Sequence, residues 1–120
     1  MGSYSESIFK IEGLDYTHLC CAANAMVKLD VSNYDIWRAQ WVSLLNGVRL
    51  MSMADGSTPP PPKDKWSYDI WHRRDQMLLH AILISVSEVF LKRLNISQVK
   101  TAAQAWDQIA KASVFEATEF

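Results

Sequence analysis

Residues 28–62 read KLDVSNYDIWRAQWVSLLNGVRLMSMADGSTPPPP, and their spacing decides the fold class. Apolar side chains fall at Tyr34, Trp37, Trp41, Leu44, Leu45 and Val48, at intervals of three, four, three, one and three. That is one stripe of an α-helix, whereas a half-buried strand would alternate. Ser32, with Asp35 three residues on, marks the helix start and Gly47 its stop, which predicts a helix over 33–46. Asp55-Gly56-Ser57-Thr58 and the run Pro59 to Pro62 cannot continue it. They predict a surface connection whose prolines adopt the extended polyproline conformation.

Working outward from that stretch, a second and longer helix is expected over 67–86, with Ile70, Trp71, Met77, Leu78, Ala81 and Ile82 on its buried face. Ser87 is placed to cap a short third helix over 88–94, with Phe90, Leu91 and Leu94 on its apolar side. Thr101-Ala102-Ala103-Gln104 reads as a capping box that opens a fourth helix, lined by Ala102, Ala105, Trp106 and Ile109. Upstream, residues 16–27 read as a short helix or an irregular segment, followed by an extended approach from Met26 to Leu29. The expected fold is all-α: a compact bundle of four to five helices with an irregular, partly ordered N-terminal arm over 1–27 and a helical domain over 28–120. Its core anchors are expected to be Tyr34, Trp37, Trp41, Trp71, Leu78, Ile82 and Trp106, with the four tryptophans sharing one core. Trp66, just past the prolines, is the tryptophan expected to be partly exposed.

The order of these pieces resembles the capsid-like Gag domain of copia-type retrotransposons, particularly those of plants. The resemblance rests on Lys28-Leu29 followed by Asn33-Tyr34-x-x-Trp37, on an apolar helix, and on the Asp55-Gly56-Ser57 loop with its prolines. It continues through Trp71-x-x-x-Asp75-x-x-Leu78-Leu79, then Ile82, Ser85, Ser87 and Glu88, then Thr101-Ala102-x-x-Ala105-Trp106. It covers roughly residues 28 to 112. It implies a structural, self-associating module, from an element or domesticated by a host, whose family assembles a shell around element RNA. The family pattern normally continues through further helices and often to a zinc knuckle, so the resemblance matches an N-terminal lobe, for which pairing or weak oligomerisation is the expected behaviour.

Composition sets bounds on the alternatives. Twelve basic residues against thirteen acidic ones leave a net charge of −1, without the basic excess of a dedicated nucleic-acid binder. Weak or no RNA binding by this chain is expected. The two cysteines, Cys20 and Cys21, are adjacent and ill placed to bridge, so buried free thiols are the expectation. The Asn95-Ile96-Ser97 sequon is expected to be idle, and Glu6 spoils a near-match to a myristoylation signal. No apolar run approaches the length of a membrane span. A cytoplasmic or nuclear location, away from membranes, is expected.

No set of side chains announces catalysis, a cofactor or a metal. His72 and His80 stand eight residues apart, too far for shared ligation on one helix, and His18-Leu19-Cys20-Cys21 suits tetrahedral zinc poorly. Of Arg73, Arg74 and Asp75, one of the latter two is expected to tie helices together, with Arg73 solvated. The proline run is expected to be a stiff connector. The candidate interaction surface comprises Phe9, Met51, Met53, Trp66 and Arg73. The expected activity is therefore not enzymatic: self-association first, and second an adaptor that binds another protein's peptide in a hydrophobic groove.

Overall fold

The computed structural model describes residues 16–118, with side chains described over 18–114. Residues 1–15, including Phe9 and the near-myristoylation signal, lie outside the described part. Among the described residues six α-helices follow one another: α1 (Tyr16–Ala25), α2 (Tyr34–Gly47), α3 (Met51–Ala54), α4 (Trp66–Ile84), α5 (Glu88–Leu91) and α6 (Ala102–Thr118). A 3-10 turn, Ile96–Gln98, precedes α6. The fold is all-α, and among the described residues the only β-type pairing is an isolated parallel bridge between Leu29 and Val86.

The long helix α4 is the spine. α1 and α6 both pack on it, and α3 packs against α6 and α2. The core between them holds Leu19 and Ala23 from α1, Trp37, Trp41 and Leu45 from α2, Leu78, Ala81 and Ile82 from α4, Phe90 from α5, and Ala102, Ala105 and Ile109 from α6. No described helix is long and apolar enough to cross a membrane.

Several local expectations are corrected. Asn33, not Ser32, precedes α2, and its side chain does not cap the helix. Its amide is used otherwise: Oδ1 accepts from the Asp30 N–H at 2.8 Å and Nδ2 donates to the Lys28 carbonyl at 2.9 Å. Gly47 belongs to α2, and the left-handed residue that turns the chain is Arg49, at φ 62°. The stretch after it does not simply run over the surface. Leu50, Met53 and Ala54 are buried, because α3 forms there and tucks against α6. The third helix is one turn, ending at Leu91 rather than Leu94.

The loop beyond α3 is held at its root. The Ser57 N–H bonds the Asp55 carboxylate at 2.8 Å, and the Thr58 N–H bonds the Ser52 carbonyl at 3.2 Å. Gly56 has φ +78°, and a Cβ there would sit 3.5 Å from that of Ala103 on α6. A side chain is therefore disfavoured at Gly56 by backbone conformation rather than by space. Pro59, Pro60 and Pro62 are exposed.

Candidate functional site

The residues that carried the resemblance converge on two places. The first is the C-terminal end of α4. Ser85 is fully buried there, and its hydroxyl donates to the Ile82 carbonyl at 2.6 Å. The same oxygen accepts the indole N–H of Trp41 at 3.0 Å. The indole N–H of Trp37 lies 3.1 Å from both that oxygen and the Ser85 carbonyl. One small residue thus takes the indole donors of two large aromatics, and its hydroxyl is the partner that keeps the Trp41 donor from being buried bare.

The extended segment before α2 closes over this point. The Leu29 N–H donates to the Ser85 carbonyl at 2.8 Å, and the Ser87 N–H donates to the Leu29 carbonyl at 2.9 Å. Lys28 adds its ammonium to the Ile84 carbonyl at 3.0 Å, which neutralises part of the exposed helix end. Ser87 then caps α5, its hydroxyl accepting from the Phe90 N–H at 3.2 Å.

The second place is the start of α6. Asp75 is buried on α4, and its carboxylate accepts the Ala102 N–H at 3.2 Å and the Gln76 side-chain amide at 3.3 Å. Burial pushes the Asp75 carboxyl above the usual range, against the pull of those two donors and of nearby His72. The capping box forms: the Gln104 N–H bonds the Thr101 hydroxyl at 3.1 Å, and the Gln104 side chain accepts from the Thr101 N–H at 3.1 Å and the Lys100 N–H at 2.7 Å.

Around Trp37 the aromatic rings gather. Tyr34 stacks at 6.0 Å between centroids, Trp41 lies at 6.2 Å and Trp106 at 5.6 Å. Trp37, Trp41, Trp106, Leu78 and Ile82 are buried, and Tyr34 is half-buried. Trp71 departs from the expectation of one shared four-tryptophan core: it is half-buried at the core's edge, with its ring beside Tyr68 at 6.0 Å. Its indole N–H is enclosed without a hydrogen-bond partner.

The candidate interaction residues scatter. Met53 is buried, contrary to its expected place on a surface, and Met51 is half-buried. Trp66 is 79% exposed. Arg73 is exposed and pairs with Asp69 at 3.3 Å, one turn back. Cys20 is half-buried and Cys21 exposed, so the expectation of two buried thiols is not met. His72 and His80 are both exposed, and His72 stacks on Tyr68 at 5.8 Å. Among the described residues no group of three His, Cys, Asp or Glu is placed to hold a metal ion. Sequence reasoning did not single out Ser85 as an anchor. Its signal is a small polar residue in the apolar run Ala81 to Val86 at the end of a helix.

No protein-family model matches this chain, and no solved structure matches it. Its relatives include the retrovirus-related Pol polyprotein from transposon RE2 of Arabidopsis thaliana, 33% identical over 95 residues. The corresponding polyprotein from transposon RE1 of the same plant is 30% identical over 95 residues. Each alignment covers 72% of this chain but only 6% of the relative. The chain is thus related to retrotransposon polyproteins and corresponds to a small part of their length.

Proposed function

We propose that this chain is a structural, self-associating module, the capsid-like Gag segment of a copia-type element or of a host copy derived from one. Its work is protein–protein assembly, without catalysis. The observation that carries this reading is the use of the motif residues. Leu29, Trp37, Asp75, Ser85 and Ser87 all spend their polar groups or bulk on joining one element to another. Such motifs specify a shape, and a shape is what an assembling module contributes. Kinship with transposon polyproteins supports the same reading.

Sedimentation velocity across protein concentration, with and without RNA, tests it. The expected result is a mass that rises with concentration and that RNA leaves unchanged at physiological salt, since basic residues do not exceed acidic ones. A monomer at every concentration would overturn the proposal. The adaptor alternative draws on exposed apolar residues; of Met51, Met53 and Trp66, only Trp66 is exposed.

A further inference from the structure

We infer that the outer face of α4 is a seam through which two copies of this chain pair, antiparallel, about a two-fold axis. The inference rests on the self-association reading and names its surface. α4 carries two apolar stripes. The inner one holds Leu78, Leu79, Ala81 and Ile82 against α1 and α6. The outer one is apolar at Trp66, Ile70 and Met77 and carries Arg73 between the last two, at intervals of four, three and four. Those intervals keep all four residues on one side of a helix over three turns, about 16 Å.

None of the four belongs to the core. Trp66 is 79% exposed and Met77 38%, and Ile70 is half-buried yet does not join the core cluster. Arg73 is exposed, with its guanidinium on Asp69. Three apolar residues and an arginine at intervals alternating between three and four make a helix face suited to another helix rather than to an extended peptide.

The pattern is also its own mirror. Four, three, four reads the same from either end, so an antiparallel copy centred between Ile70 and Arg73 meets it in register. Trp66 then faces Met77 of the other copy, a sulfur–aromatic pairing made twice. Ile70 faces Arg73 of the other copy, whose aliphatic stem covers it. Each Asp69 gains the second copy's guanidinium beside its own. A two-fold contact demands this kind of self-complementarity. A net charge of −1 puts little repulsion in the way. A contact of four residues on one helix falls short of the roughly 20–30 residues a side of a standard interface, so the pair it forms is a weak one.

The test is sedimentation velocity on the full chain and on Met77→Glu, Ile70→Glu and, away from the seam, Val114→Glu. Both seam variants are expected to weaken the dimer by about ten-fold or more, the loss typical of a central contact, while Val114→Glu leaves it unchanged. Asp69→Arg and Arg73→Asp are each expected to weaken it, and together to restore it. A dimer of undiminished affinity in both seam variants would overturn the seam and leave self-association standing. A full chain that stays monomeric would overturn both. A seam variant with unchanged mass but a lower melting temperature would show that the stripe is covered within its own chain, and this too would sink the inference.

Discussion

The hydroxyl of Ser85 takes the indole N–H of Trp41 at 3.0 Å inside the core, where both residues are fully buried. Ser85→Ala removes the acceptor of the Trp41 indole, whereas Trp37 keeps the Ser85 carbonyl. The expected loss in a denaturant melt is about 1–3 kcal/mol, the cost of a buried unsatisfied donor. An unchanged midpoint would mean that the indole finds another partner.

Trp41→Ala is expected to cost about 3–5 kcal/mol, as for other large buried aromatics. Trp66→Ala, measured in dilute protein, is expected to stay within roughly 0.5 kcal/mol, the range for surface substitutions. Chemical melts of the two variants side by side check the contrast, and equal losses would contradict it.

Asp75 ties stability to pH. Its folded carboxyl titrates above the ordinary aspartate value of 3.8, so between those two points the native state holds more of the proton than the unfolded chain does. The Asp75 contribution therefore weakens stability as pH rises through that window and is at its most favourable below it. Asp75→Asn keeps an acceptor for the Ala102 N–H and cannot ionise. Its stability relative to the parent is expected to improve as pH rises from below 3.8 to neutral, read from melts at several pH values. A difference that does not change with pH would refute this.

The capping box offers a smaller effect. Thr101→Ala is expected to cost about 1 kcal/mol, the usual loss of an N-cap side chain. Gln104→Ala should cost a comparable amount, because its amide oxygen serves two backbone N–H groups. Denaturant melts of each variant measure both.

The helices were legible where periodicity and end signals agreed. α2, α4 and α6 lie close to the expected spans of 33–46, after 67 and after Thr101, and the box at Thr101 and the cap at Ser87 are read directly from side-chain chemistry. The face of α4 was misread in part. Ile70 and Met77 look like core residues when a single stripe is assumed, but this helix has two, and composition cannot say which faces inward. α3 was hidden because four residues are too few to show a period. Gly47 drew attention as the stop, while the left-handed turn fell on Arg49, a residue type that rarely adopts it. Of the candidate site, the motif residues were visible as a pattern. Their hydrogen bonds were not, since Leu29, Trp37, Trp41 and Ser85 meet only after the chain has folded back across nearly half its length.

That meeting has a consequence for synthesis. The acceptor for the Trp41 indole is encoded 44 residues downstream. A ribosome adding roughly 5–20 residues per second needs about 2–9 seconds to make that stretch. Through that interval the nascent α2 has two tryptophans and no Ser85 to receive them, so its apolar stripe cannot be sealed however well the helix itself forms. Folding of the first half waits for the end of α4 to emerge, and until then the growing chain presents its stickiest residues to whatever chaperone or neighbouring nascent chain is closest.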